Sequence, residues 1–403
     1  MKQLLLGLTI LCSSVVYSQD YWLQKDTVKG SAKCAATAFV ANEQAYVVTG
    51  LDEFGYKRKM ASYNAQQDDW DTETALGGDE GDGLERVLAT SFTLQTDGQD
   101  KGYLCLGQTP TIAYMNDMWE YNPATQAWSQ KANFIGAARR SAVAFVVNNL
   151  AYVGTGQSAS GLHKDFYTYD ATSNTWEQIA DFAGSARRAA VAFSMDQFGF
   201  LGTGNDGVER NDFWMYDPQT ENWIVKAAFP GAPRSGACGW AAFPVCYLGT
   251  GEDANNTFHN DLWEYNYYLN AWTQRANLPG PARKNAIAFA LNGWGFIGTG
   301  YNNGLFYDDL WAYSGTAGLA SQESSALVLF PNPSNAQLNL KWEGPMPQIQ
   351  CTSMLGQEVP IQVTKTDQLL QFTISTLPTG TYNLAIRSEK GAHQFTFEKC
   401  SGY

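Results

Sequence analysis

The stretch Arg139-Arg140-Ser141-Ala142-Val143-Ala144-Phe145, then Leu150-Ala151-Tyr152-Val153-Gly154-Thr155-Gly156, Asp165-Phe166-Tyr167-Thr168-Tyr169 and Trp176, decides the fold. It holds a small apolar run, a second apolar run ending in Gly-Thr-Gly, and a third segment carrying aromatic residues. Period-two alternation broken by glycine and turn residues reads as short strands, not helix. Trp176, seven residues after Tyr169, marks a fourth strand.

The unit recurs. Trp22, Trp70, Trp128, Trp176, Trp223 and Trp272 are 48, 58, 48, 47 and 49 residues apart. Gly50, Gly107, Gly156, Gly204, Gly251 and Gly300 keep step, and Trp119/Tyr121 and Trp263/Tyr265 repeat the alternating aromatics. Lys33, Arg139, Arg187, Arg234 and Arg283 each stand 11 residues after a Trp. Arg86 stands 16 after Trp70, because an insertion with Asp79, Glu80 and Asp82 lengthens that loop. Six units of four strands predict an all-β, six-bladed β-propeller over residues 19–314. The sixth unit has Asp309, Trp311 and Tyr313 but no following Trp, whereas Trp22 stands alone before the first. The amino-terminal strand is expected to complete the last blade and close the ring.

The 403 residues are 44% apolar and carry a net charge of −13, which disfavours nucleic acid and anionic membranes as partners. Residues 1–18 read as a signal peptide: Lys2, an apolar run from Leu4 to Val16, and small residues before a cut after Ser18. A lipoprotein signal on Cys12 fits less well, because Leu11 precedes it. Cys34, Cys105, Cys238, Cys246, Cys351 and Cys400 show no metal-ligand spacing. They read as buried thiols, with Cys351–Cys400 the best candidate for a bond. Cys238 and Cys246 are expected on paired strands but on opposite faces.

The pattern resembles kelch repeats across residues 20–314, with Gly-Thr-Gly where adjacent glycines are usual. Kelch propellers include both enzymes and binding scaffolds. After a small, polar linker at 315–325, residues 326–403 read as an Ig-like β-sandwich. They resemble the C-terminal sorting domain of type IX secretion through Phe330-Pro331-Asn332-Pro333, Leu355-Gly356-Gln357 and Leu377-Pro378-Thr379-Gly380-Thr381-Tyr382. That resemblance implies the type IX machinery as a partner and a secreted or cell-surface product.

Strand order places Lys33, Arg86, Arg139, Arg187, Arg234 and Arg283 around one mouth of the channel. They could hold a carboxylate or sulfate ligand, or pair internally with Asp117, Asp165, Asp212, Asp261 and Asp309, four residues before each third-strand Tyr. Pairing is favoured because blade one changes both partners, to Lys33 and Lys59. The non-repeating loops on that face offer Phe54, Tyr56, Tyr114, His163, Glu209, Arg210, Glu252, His259, Tyr301, Phe306 and Tyr307 to a glycan or protein ligand. Each of these aromatics could instead pack on its own blade.

A secreted binding module is the leading reading, with no catalytic residue, metal or cofactor assigned. The alternative is a carbohydrate-active enzyme. The kelch resemblance implies either a sialic-acid-mutarotase-like site using Glu209 or Glu252, or a galactose-oxidase-like copper site. The copper set needs two His, two Tyr and a Cys–Tyr link, and His163 and His259 have no loop cysteine near them. The insertion at Asp79, Glu80 and Asp82 could bind Ca²⁺ or be a solvated acidic loop.

Overall fold

A computed structural model describes residues 20–78, 84–315, 329–330, 336–342, 346–353, 357–365, 369–388 and 391–399. Residues 1–18, expected as a signal peptide, the acidic residues Asp79, Glu80 and Asp82, residues 316–325 of the expected linker, Pro331-Asn332-Pro333, Met354-Leu355-Gly356 and Cys400 lie outside the described residues. The chain divides into two compact units, Met1–Gly318 and Leu319–Tyr403.

The first unit contains six four-stranded antiparallel sheets, the blades, five of them built in chain order from axis to rim. In blade three, Val143–Val147 lines the axis, followed by Leu150–Gly154, Phe166–Asp170 and, at the rim, Thr175–Ile179. The second strand is buried on both faces and reads as a continuous apolar run, whereas the rim strand is mostly solvated and carries Thr, Glu and Gln. Third-strand Tyr169 is fully buried and its ring packs on rim Trp176 at 4.9 Å.

Blade six takes its rim strand from the amino terminus. Tyr21–Lys25 pairs with Leu310–Ser314, placing Trp22 opposite Tyr313. The rim Trp indoles staple blade to blade. Trp22 donates to the Ala276 carbonyl at 2.8 Å, Trp128 to Thr74 at 3.0 Å, Trp176 to Ala132 at 2.9 Å and Trp272 to Ala227 at 2.8 Å.

Two belts of backbone hydrogen bonds also run around the axis. In the inner belt, Asn285 donates to Gly236, Gly236 to Ala189, Ala189 to Ser141, Ser141 to Leu88, Leu88 to Ala35, and Ala35 back to Asn285. These bonds span 2.8–3.2 Å, and every member has a left-handed φ between 52° and 61°. That backbone state turns each N–H and C=O along the circumference, so the belt ties all six blades to one another around the axis. In the outer belt, the last glycine of each second strand donates to the next blade, as Gly156 to Arg187 at 2.7 Å and Gly300 to Lys33 at 2.8 Å. Gly156 has φ +95°, and a Cβ there would lie 2.9 Å from the Arg140 carbonyl oxygen. Below the inner belt the channel is lined by Ala36, Ala38, Ala142, Ala144, Ala190, Ala192, Ala286 and Ala288, and its lining carries no charged side chain.

The second unit has two antiparallel sheets. One comprises Leu329–Phe330, Gln337–Lys341, Leu369–Thr373 and Gln362–Lys365; the other comprises Gln348–Ser353, Gly380–Ser388 and Gly391–Lys399. They share a core that includes Leu338, Leu340, Phe372, Leu384, Ile386 and Phe397. The Tyr382 hydroxyl donates to the Pro378 carbonyl at 2.9 Å, folding the Leu-Pro-Thr-Gly-Thr-Tyr segment on itself. Cys351 is a buried free thiol in this core, and burial pushes its pKa up to about 11; Cys400, its expected partner, lies outside the described residues. Cys238 and Cys246 lie on the paired first and second strands of blade five, three pairs out of register, and both are free.

Candidate functional site

Beneath the mouth, five ring arginines are each held in a closed set of bonds. Arg139 donates bidentately to Asp165 at 2.5 and 2.8 Å, to the Thr155 carbonyl at 2.9 Å and to the Ala137 carbonyl at 2.9 Å. Arg86–Asp117, Arg187–Asp212, Arg234–Asp261 and Arg283–Asp309 repeat this geometry. Phe134, Phe182 and Phe229 stack on Arg139, Arg187 and Arg234 at 4.9–5.0 Å. Burial pushes the Asp165 carboxyl up, but the Arg139 hydrogen bonds and charge outweigh it and hold it below its ordinary value. With their donors engaged, these five arginines are fold-holding pairs.

The same bonds run through the middle residue of each Gly-Thr-Gly. Thr155, Thr203, Thr250 and Thr299 have φ of 58–62°, a strained region for a β-branched residue. In that conformation each carbonyl turns to accept from a ring arginine at 2.8–2.9 Å.

The residue after each ring position points the opposite way, because strand side chains alternate. This puts Arg140, Arg188, Ser235 and Lys284 on the mouth, where they bridge to Gln157, Asn205, Glu252 and Tyr301 of their own blades. A polar belt results. Gln108 donates to the Tyr56 hydroxyl at 2.5 Å and accepts from Arg140. Gln157 accepts from Arg140 at 3.5 Å and from Arg188 at 2.7 Å. Glu209 Oε1 accepts from Asn205 at 2.9 Å and from Ser235 at 3.3 Å, and Lys284 donates to Glu252. Aromatic rings flank the belt: Arg140 lies 5.6 Å over Tyr114, Lys284 lies 5.5 Å over Phe258, and Phe258 and Tyr301 are 6.4 Å apart. One atom is unmatched. Glu209 Oε2 is buried and has no hydrogen-bond partner. Burial raises the Glu209 carboxyl above its ordinary value and the charge of Glu252 adds to the rise, against the hydrogen bonds of Asn205 and Ser235.

Thus Tyr56, Tyr114, Glu209, Glu252 and Tyr301 meet at the mouth. The other six sequence candidates make contacts elsewhere. His163 is tied to Ser158 at 2.6 Å, and burial and Arg139 lower its pKa. His259 faces Asp253 at 3.2 Å, and exposed Arg210 bonds Asp206 at 2.7 Å within its own loop. Tyr307 stacks on Arg283 at 4.5 Å. Phe306 packs on Tyr301 at 5.4 Å, and Phe54 is 79% exposed at a hairpin tip. The two histidines lie in separate loops, each engaged by its own partner, and do not assemble the copper set implied by the galactose-oxidase resemblance. The sequence reading missed Arg140, Arg188 and Lys284. Their signal was the basic doublet at Arg139-Arg140, Arg187-Arg188 and Arg283-Lys284.

Residues 36–243 match the KLHDC2/KLHL20/DRC7 Kelch-repeats domain. The chain belongs to the kelch-repeat family. Residues 328–397 match the secretion system C-terminal sorting domain. The kelch propeller is therefore exported through type IX secretion to the cell surface or extracellular space. The structure of YjhT is similar in fold, with a TM-score of 0.58 at 16% identity over 71% of this chain and 96% of that one. No curated protein matches the chain.

Proposed function

We propose that the exported propeller is a glycan-binding module and that its ligand occupies the mouth between Arg140, Arg188, Glu209 and Lys284. The carrying observation is the continuous polar belt around the mouth, in which Arg140 and Arg188 both donate to Gln157, Glu209 accepts from Asn205 and Ser235, and Lys284 donates to Glu252. Fork donors from two arginines and the flat rings of Tyr114, Phe258 and Tyr301 suit the hydroxyls and apolar faces of a sugar. A protein ligand is less well served, because the mouth is rimmed by charged side chains, and charged groups are depleted at the core of protein interfaces.

The test is a glycan-array screen of the purified protein, followed by titration of Arg188→Met and Glu209→Gln against the best hit. Each variant should bind about 10-fold or more weakly, as loss of a charged hydrogen bond predicts. A blank array, or variants that bind as tightly as the parent, would overturn the assignment.

One observation favours a second reading. Glu209, raised by burial and by neighbouring Glu252, holds a proton more readily than an ordinary carboxyl and could serve as an acid–base group on a sugar. Faster exchange between anomers of the bound sugar, lost in Glu209→Gln, would decide for catalysis.

We also propose that residues 326–403 act only as the export address. Removing residues 325–403 is expected to stop export while leaving the β circular dichroism of the propeller intact. All six blades are complete between Tyr21 and Ser314, so the tail supplies none of their strands. Normal appearance of the truncated protein in the medium would reject this role.

A further inference from the structure

The ring is broken at one blade. Lys33 takes the arginine position in blade one and is only 5% exposed. Lys59, four residues before Tyr63, stands where the other blades place aspartate. The Lys33 side chain has no hydrogen bond or ion pair among the described residues, in contrast to the five saturated arginines. The carboxylate that acts on it, Asp52, is already engaged: Lys57 bonds it at 2.8 Å, the Phe54 N–H donates at 2.8 Å, and the Ser31 hydroxyl donates to its other oxygen. The charged groups acting on Lys33 are Asp52 from the second strand and Lys57 and Lys59 from the third. Three ammonium groups against one carboxylate leave a local excess of positive charge in a protein of net charge −13. Burial, reinforced by Lys59 and Lys57 and opposed by Asp52, lowers the Lys33 pKa, as expected for a cation lacking its counter-ion.

We propose that Lys33, Lys57 and Lys59 form an oxyanion site that takes a tetrahedral sulfate or phosphate group, free or as an ester on a larger ligand. The anion supplies the negative charge that aspartate supplies in the other five blades. A tetrahedral group fits better than a planar carboxylate because the donors are three separate ammonium groups and not one planar fork. The site belongs to blade one and does not depend on the glycan reading of the mouth.

The full-length protein is tested by thermal unfolding and calorimetry with sodium sulfate, sodium phosphate and glucose 6-sulfate, at ionic strength held constant with sodium chloride. At ten times the Kd, the parent should gain about 2–4 °C in Tm. Binding should also take up protons at alkaline pH, because the anion raises the lowered Lys33 pKa; the heat should therefore vary with the ionisation enthalpy of the buffer. Lys33→Met should abolish both effects. The double variant Lys33→Arg/Lys59→Asp rebuilds the pair of the other blades, so it should raise the Tm without anion and lose the anion response. This second variant keeps the test decisive if Lys33→Met folds poorly. A stronger response to glucose 6-sulfate than to sulfate assigns an esterified ligand; equal responses assign the free ion. No Tm shift in the parent, or an undiminished shift in the rebuilt double variant, overturns the proposal.

Discussion

Deleting Gln19 to Thr27 should cost the propeller about 3–6 kcal/mol, a large share of the stability of an ordinary domain. The deletion removes the five-residue ladder between Tyr21–Lys25 and Leu310–Ser314. It also removes the Trp22 indole bond to Ala276, and the Asp20 carboxylate that accepts from the Ala276 N–H at 2.7 Å and the Tyr313 hydroxyl at 3.0 Å. Tyr313, only 1% exposed and in ring contact with Trp22 at 4.9 Å, would face water with an unmatched hydroxyl. Trp22 itself is half-buried, so its own share falls short of a full core tryptophan. The ring would not open outright. Gly300 still donates to Lys33 and Ala35 to Asn285, and Ile287 and Phe289 still share a core with Val47 and Tyr63. The expected result is a folded protein with a sharply lower denaturant midpoint and an unchanged near-ultraviolet signal below it. An unaltered midpoint would show that the amino-terminal strand is not what completes blade six.

The two kinds of closure explain what could be read in the sequence. The strand closure was legible because it uses residue types: a Trp missing after Tyr313 and a spare one at Trp22. The arginine–aspartate ring was legible for the same reason, and blade one betrays the pairing by changing both Lys33 and Lys59. The inner belt was not legible. It runs through Ala35, Leu88, Ser141, Ala189, Gly236 and Asn285, which share a backbone conformation and no side-chain chemistry. The mouth was half legible. Its aromatic and acidic groups lie in loops that differ between blades and therefore draw attention. Arg140, Arg188 and Lys284 hide behind their repeating neighbours, and their counterparts in the other blades are Cys34, Val87 and Ser235. Fold-holding residues recur because each blade meets the same neighbours. Ligand-binding residues need only be right once, so periodicity cannot find them.

Replacing Arg139 by Met should destabilise the propeller by about 3–5 kcal/mol, the cost of leaving one member of a buried pair behind. The Asp165 carboxylate would lose both guanidinium bonds, the Ala137 and Thr155 carbonyls would lose their donor, and left-handed Thr155 would lose the bond that holds it. Adding Asp165→Leu should recover part of the loss, because an apolar pair leaves no stranded charge. The pH dependence separates this account from simple loss of packing. In the parent, the Asp165 pKa is depressed, so its contribution is present above the unfolded value of about 3.9 and is lost as pH falls through the lower folded value. In Arg139→Met the depressing charge is gone and burial dominates, so the carboxyl protonates in the folded state at a higher pH. His163, whose Nδ1 lies 3.7 Å from Asp165, is also freed from the repulsion of Arg139 and gains a proton more easily, which works in the same direction. The stability gap between parent and variant should therefore narrow steadily from about pH 6 to pH 3. Urea titrations across that range measure it directly. A gap that stays constant would mean that Arg139 acts through its contacts with Phe134 and its own blade, and that the ring pairs are not electrostatic in origin.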